Sequence, residues 1–249
     1  EKKWFEETFS SKKDVFHLDE ILGTEDEIHN ISQNYYDTTS ILWTSGTTGA
    51  PKGVMQSNNT WIRSALSSVE MGEIRKGDVA FNCMPLYNSA SWVTSIYPAL
   101  LTGTTCAIDK TFSANQFWNR TRHYEATHVF TLGAMHMFLW NAEPQESDHD
   151  NPVRSAQMVP MPDKIIPRFK KRFGIEAIHQ GYGQSELMYL MRRRDKGIRK
   201  FPENALGDVA EDLEVALFSL DGTFSKTGDP GELCVKAREK NILFNGYFN

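Results

Sequence analysis

The sequence predicts an α/β protein, with a mostly parallel sheet flanked by helices and then an antiparallel β subdomain. Three observations carry that expectation. Short apolar runs alternate with helical patterns from Ser40 to His179, glycines and capping residues punctuate the joins, and the texture turns to strand–turn–strand after Pro202. Strands separated by single-helix crossovers run parallel and need cover on both faces. The chain of 249 residues is 40% hydrophobic and 12% aromatic, enough apolar material for one or two cores and unlike a disordered or fibrous chain.

The elements follow in order. Residues 1–39 are polar and weakly patterned and read as a connecting segment with room for one short helix. Ser40–Trp43 is an apolar run stopped by a Thr/Ser/Gly cluster, as expected of a buried strand entering a loop. Asn59 and Thr60 read as caps of a helix with Ile62, Ala65, Leu66 and Val69 on one face and Gly72 closing it. Val79–Leu86 and Thr105–Ile108 are strand-like, and Ser113 with Gln116 has the spacing of a capping box before Phe117, Thr121 and Tyr124. Thr127–Leu132 returns to β. Ile165, Ile166, Phe169 and Phe173 line a helix ended by Gly174, with Pro167 in its first turn, and Ile175–His179 is the next strand. Residues 40–202 thus read as an α/β nucleotide-binding subdomain. Residues 203–249 read as the antiparallel one, with strands at Leu213–Leu220 and Glu232–Lys236 and a turn at Asp221-Gly222.

Composition narrows the function classes. The formal net charge of -5 argues against whole-chain attraction to nucleic acid or acidic membranes. Cys83, Cys106 and Cys234 are far apart and form neither a disulfide framework nor a zinc pair. No apolar run approaches the roughly 18 residues of a transmembrane span, and the chain opens Glu1-Lys2-Lys3-Trp4 without a signal-peptide core. The expectation is a soluble protein of the cytoplasm.

The most informative stretch is Thr44-Ser45-Gly46-Thr47-Thr48-Gly49-Ala50-Pro51-Lys52-Gly53, with four hydroxyl side chains, three glycines and one lysine after an apolar strand. Glycines let backbone N–H groups turn inward as an anion nest, hydroxyls add donors, and lysine adds a point charge. This is the chemistry of a polyphosphate cradle, although Gly53 after Lys52 excludes a Walker A ending. The alternative is a surface turn with no ligand. A second stretch, Gly181-Tyr182-Gly183-Gln184-Ser185-Glu186, follows the strand ending at His179. Its ring between two glycines offers a face to a nucleobase, and its carboxylate offers a ligand to Mg²⁺. Taken alone, Tyr182 reads better as a packed turn aromatic and Glu186 as an exposed charge.

Together the two stretches resemble the signature loops of the adenylate-forming superfamily of acyl-CoA synthetases, adenylation domains and luciferases. The superfamily pattern is an aromatic followed by TSGTTGxPKGV, then YGxTE far downstream. Here Trp43 precedes a complete TSGTTGAPKGV, and Ser185 replaces the threonine but keeps a hydroxyl. Met84-Pro85-Leu86-Tyr87, Gly207-Asp208-Val209, Gly231–Val235 and Gly246-Tyr247-Phe248-Asn249 follow in family order, so the resemblance covers nearly the whole chain. Phe112–Trp118, and the lack of glycines at Met158–Pro162, resemble the carnitine/crotonobetaine-CoA ligase branch of the acid–CoA ligases.

The resemblance implies a fragment of the large N-terminal domain of the adenylate-forming fold. It implies an AMP-forming acid–CoA ligase that activates a small-molecule carboxylate with Mg·ATP to an acyl-adenylate and then passes the acyl group to coenzyme A. By the same similarity, Thr44, Ser45, Gly46, Thr47, Thr48, Gly49 and Lys52 hold the β- and γ-phosphates. Gly181, Tyr182 and Gly183 face the adenine, Ser185 meets the α-phosphate, and Glu186 binds Mg²⁺. Tyr87, Asn88, Trp92, Gly133 and Ala134 mark the carboxylate pocket, and Trp118, Met135 and Trp140 either extend it or are core aromatics. Family members have further segments before Glu1 and, after Asn249, a ribose-binding Asp, a hinge and a domain with a catalytic Lys, so residues 1–249 alone should be weak or inert. Thr227-Gly228-Asp229 lies before the Gly231–Val235 strand and reads as a hairpin loop, not as the ribose motif.

Two other readings stay open. One is an amino-acid adenylation domain, which usually carries Asp where Asn88 stands; the other is a non-catalytic nucleotide-binding remnant. Six of the nine residues Arg192–Lys200 are basic and read as a solvated loop. His123, His128 and His136 lack metal-ligand spacing, and Cys83 reads as a buried thiol.

Overall fold

The computed structural model describes residues 34–44, 50–195, 197 and 200–248. Tyr35–Asn249 form one compact unit. The unit before it is represented among the described residues by Asn34 alone; most of the expected connecting segment, 1–39, lies outside them, and its last residues, Thr38 and Thr39, already belong to the first strand.

The chain enters with β1 (Thr38–Thr44), which pairs antiparallel with β2 (Lys52–Ser57), Thr44 standing opposite Lys52. The glycine- and hydroxyl-rich stretch is therefore the connection of a hairpin. β1 is an edge strand of a three-stranded sheet, not the buried strand expected; Trp43 is 62% exposed. Its apolar run marks one covered face, where Leu42 is buried. β2 went unforeseen because Lys-Gly-Val-Met-Gln-Ser carries a glycine and an amide inside a strand of six residues, although Val54 and Gln56 are fully buried.

Helix α1 (Asn58–Gly72) starts before both expected caps, Asn59 and Thr60, and is capped by Ser57. Ser57 and Thr60 form a reciprocal cap, and Glu73 closes the helix at φ 52°. Its buried side is Trp61, Ser64, Ala65, Ser68 and Met71, while Leu66 of the expected face is exposed. The reason is tertiary. α1 packs on a polar side of the main sheet, where its Gly72 carbonyl accepts from His128 Nε2 at 2.9 Å. Hydroxyls and a glycine suit that contact better than branched side chains.

The main sheet has β3 (Val79–Asn82), β4 (Thr105–Ile108), β5 (His128–Leu132), β6 (Ser155–Val159), β7 (Ala177–Gln184), β8 (Met188–Arg193) and β9 (Asp208–Val209), in the order β4-β3-β5-β6-β7-β8-β9. The first five are parallel and the last two antiparallel. Between β3 and β4 lie α2 (Ser89–Ser91), a π-helical turn (Trp92–Ile96) and α3 (Tyr97–Thr102). α4 (Phe117–His123), α5 (Ala134–Asn141) and α6 (Ile166–Phe173) cross between later strands. The larger core joins Phe81, Val129, Ala156, Met158 and Ile178 of the sheet to Phe117, Phe169 and Phe173 of the helices. Alternation in the strands puts apolar side chains on that face and His128, Gln157 and His179 on the other.

Several expected bounds shift. β3 stops at Asn82, whose side-chain oxygen accepts from Met84 N and bends the chain. The Ser113/Gln116 box does not form; a backbone bond from Gln116 N to Ser113 O makes a turn instead. β6, β8 and α5 were not foreseen. α6 has the expected face, with Pro167 in its first turn and Gly174 at φ 68°. Beyond β9, β10 (Leu213–Phe218) and β11 (Glu232–Ala237) make a separate antiparallel pair, and β12 (Tyr247–Phe248) returns to β2.

A cleft at the strand ends

The parallel strands β5, β6 and β7 point their carboxyl ends toward one cavity of about 520 Å³, the usual place for a ligand of an open α/β sheet and within the usual volume range of small-molecule sites. Leu132 and Val159, the last residues of β5 and β6, form its apolar floor with Phe130 and Val93. Thr44 and Lys52, on either side of the hairpin connection, line one side, and Gly181 to Glu186 line another. Ser45, Gly46, Thr47, Thr48 and Gly49 lie outside the described residues.

β7 runs further than Ile175–His179, so Gly181, Tyr182, Gly183 and Gln184 belong to the strand itself. The glycines answer to close backbone approach. A Cβ on Gly181 would stand 2.7 Å from the Met191 carbonyl of β8, and one on Gly183 would overlap the Met188 carbonyl. Side chains at either position would prise the two strands apart. Tyr182 is half-buried, rests against the core around Leu190 and lines the cavity. Ser185 and Glu186 occupy the turn to β8, which Met188 closes at φ 54°, a left-handed value unusual for a residue with a side chain.

Backbone and amide contacts tie this turn to the hairpin. Gln56 of β2 donates its side-chain amide to the Ser185 carbonyl, and Phe244 N donates to Glu186 O at 3.3 Å. Asn245 N donates to Met55 O at 2.8 Å and Met55 N to Gly246 O at 3.0 Å. Tyr247 meets both charged side chains. Its hydroxyl donates to Glu186 Oε1 at 3.0 Å, and the Lys52 ammonium lies 5.2 Å from its ring centre. Burial, reinforced by the Glu186 carboxylate, pushes the Tyr247 phenol up, so it remains a donor at neutral pH. Lys52 and Glu186 are the charged side chains among the described residues of the lining.

The carboxylate-pocket residues divide. Asn88 lines the cavity, and its Oδ1 accepts from Ala90 N at 2.9 Å as the cap of α2. Tyr87 is 79% exposed and is not a lining residue. Trp92 packs against Trp61 and Tyr97 and donates Nε1 to the Leu86 carbonyl at 2.7 Å, also off the lining. Gly133 and Ala134 lie at the start of α5, beside the cavity floor but outside its lining. Trp118 stacks on Phe173 and Trp140 lies beneath the guanidinium groups of Arg168 and Arg172, so both belong to the core side of the sheet, with Met135.

Sequence reasoning missed Tyr247 and Tyr189. Tyr247 stood in a family-like piece, but nothing local to it pointed at Lys52 or Glu186. Tyr189 lines the cavity and donates its hydroxyl to Gln157; burial pushes its phenol up to about 12. Of the histidines read as structural, His128 is buried on the Gly72 carbonyl and His136 is fully buried between Thr131 Oγ1 and the Pro160 carbonyl, while His123 is exposed with its ring against Tyr124. Cys83 is buried, and burial pushes its thiol up to about 12, which leaves no thiolate for nucleophilic work. Arg192, Arg193 and Arg194 correct the reading of a solvated basic loop: they reach Glu70 and Asp163, so half of that run is neutralised within the molecule.

The described residues include no helix long and apolar enough to cross a membrane. The bovine long-chain fatty acid transport protein 1 is 29% identical over 86% of this chain and 35% of its own length. A crotonobetaine/carnitine–CoA ligase of Salmonella heidelberg is 26% identical over 85% of this chain and 41% of its own. Among solved structures, the O-succinylbenzoate coenzyme A synthetase of Bacillus subtilis, in complex with ATP and magnesium ion, superposes with a TM-score of 0.78 at 23% identity, covering 100% of this chain and 50% of that one. The chain thus spans between about a third and a half of these three proteins. The model of the AMP-binding enzyme family matches residues 5–248, and on that match the chain belongs to the AMP-binding enzymes.

Proposed function

We propose that the chain is the nucleotide-binding core of an AMP-forming acid–CoA ligase. The observation that carries this reading is that Thr44 and Lys52, some 140 residues from Ser185 and Glu186 in sequence, share one cavity with them at the strand ends. The donor set suits a metal–triphosphate ligand: a hydroxyl and an ammonium beside a glycine-rich connection, and a carboxylate carried on a turn tied to the same hairpin.

In this reading Ser45, Gly46, Thr47, Thr48 and Gly49, with Thr44 and Lys52, would hold the β- and γ-phosphates of ATP. Tyr182 would lie against the adenine between Gly181 and Gly183, and Ser185 would meet the α-phosphate. Glu186 would hold Mg²⁺, an ion that spreads and neutralises phosphate charge when bound. Phosphoryl chemistry of this kind asks the protein for position and charge more than for covalent help. Lys52 supplies a positive charge near the departing pyrophosphate, and the apolar floor of Phe130, Leu132 and Val159 keeps water from the activated acyl group. The carboxylate substrate would enter past Asn88, with Tyr87, Trp92, Gly133 and Ala134 in the surrounding shell, and coenzyme A would take the acyl group. Crotonobetaine/carnitine ligases and fatty-acid proteins both appear among the relatives, and the apolar floor favours an acyl tail without charge. Asn88, neutral and engaged as a helix cap, tells against binding a substrate ammonium, and with it against an amino-acid adenylation domain.

The reading divides the chain at about residue 202, supported by the separate β10–β11 pair, while β9 and β12 remain with the larger sheets. It also includes a cytoplasmic location, supported by three unpaired cysteines. Its test is carboxylate-dependent exchange of pyrophosphate into ATP by the full-length gene product. Exchange should appear with a panel of acids and fall at least about a hundredfold in Lys52→Ala and in Glu186→Ala. A full-length protein without exchange on any acid is a nucleotide-binding remnant instead.

A further inference from the structure

We propose that Tyr247 is a positioning residue: it engages Lys52 through its ring face and Glu186 through its hydroxyl, so that both charges are oriented before a metal–triphosphate ligand arrives. The inference rests on the ligase reading above. Its geometry is direct. The Tyr247 hydroxyl donates to Glu186 Oε1 at 3.0 Å while the Lys52 ammonium lies 5.2 Å from the ring centre. The ring is placed by main chain rather than by these contacts, since Tyr247 pairs with Val54 of β2 and the residues before it bond to Met55. Phe244 braces the ring from the side at 5.1 Å between ring centres, and its N–H holds the Glu186 backbone.

The chemistry of the spacer follows from what each partner leaves free. Lys52 is exposed, so a direct pair with Glu186 would be worth only about 0–1 kcal/mol, but in contact each would occupy donors and lone pairs that a ligand needs. A phenol donor occupies one lone pair of Glu186 and leaves its other oxygen open to a cation. A ring face attracts the ammonium without using any of its three N–H donors. Both charges are thereby oriented and remain available. Tyr247 lies 61 residues from Glu186 and is drawn to it across the cleft by β12, so the return of the chain to β2 completes the site.

The test is equilibrium titration of the full-length gene product with ATP, once with Mg²⁺ and once with EDTA. The ratio of the two affinities measures what the metal adds. In Tyr247→Phe the ring and its backing remain and the hydroxyl goes, so this ratio should fall roughly tenfold while metal-free binding is unchanged. Placed in Glu186→Gln, the same change should have no further effect on the ratio, because residues that act through one another are not additive. Tyr247→Leu removes the ring, lets Lys52 and Glu186 pair, and should weaken ATP binding even in EDTA. An unchanged circular-dichroism melt shows that the fold is intact in each. If Tyr247→Phe weakens binding equally in both conditions, or adds its full effect to Glu186→Gln, the positioning role is wrong and the ligase reading stands. If the unaltered protein binds ATP in neither condition, the ligase reading itself fails.

Discussion

At the scale of single residues, the chain's pH response is written in its buried histidines. His179 on β7 is buried, with its Nδ1 facing the Asp195 N–H at 3.4 Å. Burial pushes its pKa down to about 4, against the upward pull of Asp195. Between pH 6.5 and about 4 the unfolded chain therefore binds a proton that the folded one refuses. Stability rises with pH across that window and is lost as pH falls through it. His128 and His136, also lowered chiefly by burial, act in the same direction. His179→Gln should remove on the order of 3 kcal/mol of the pH dependence of unfolding between pH 6.5 and 4, measured by urea titration at several pH values. An unaltered slope means that the ring is protonated in the folded protein. Nothing local to His179 announced this, since burial of one ring is decided by residues distant in sequence such as Glu73, His128 and Arg194, whereas residue types such as Lys52 and Glu186 announced their chemistry at once.

At the scale of elements, glycine spacing in β7 was legible as a motif and illegible as a strand. Gly181 and Gly183 looked like a loop because glycine weakens strands, yet here it lets β8 approach. Gly183→Ala places a methyl group on the Met188 carbonyl and should part β7 from β8 at the site. The expected result is loss of amide-exchange protection in Met188–Arg193 together with destabilisation of about 2 kcal/mol or more, read by hydrogen exchange and thermal melting. Retained protection would show that the hairpin bends to accept the methyl group. The face of α1 failed for a related reason. Its periodicity offered two sides, Ile62/Leu66/Val69 and Trp61/Ser64/Ser68, and hydrophobicity alone chose the wrong one. α6 had no such ambiguity, because Ile166, Phe169 and Phe173 face away from a basic surface.

At the scale of the molecule, the aromatic core and the cavity occupy different parts of one sheet. The aromatic side holds Phe169 and Phe173, 4.5 Å apart between ring centres, with Trp118 stacked on Phe173 at 4.5 Å. Phe169→Ala should cost about 3–5 kcal/mol and lower the melting temperature by roughly 10 °C. ATP affinity should be unchanged below that melting point, because Phe169 does not reach the cavity. A parallel loss of affinity in the folded protein would mean that the two faces are coupled. The opposite face carries His128, Gln157 and His179 against the serine side of α1, and Arg63 of α1 pairs with Asp212 ahead of β10. That ion pair and the return of β12 link parts of the chain that no local pattern connects.

The amino-acid sequence by itself determined the class of fold, the helix of Phe169 and Phe173, and the two segments whose chemistry suits a nucleotide. These depend on residue type and short-range period, which chain neighbours settle. Tertiary structure alone decided that β1 and β2 pair antiparallel, that α1 turns its serines inward, and that Tyr247 meets both Lys52 and Glu186. Those outcomes depend on contacts between residues far apart in the chain, where strand pairing and burial outweigh local preference.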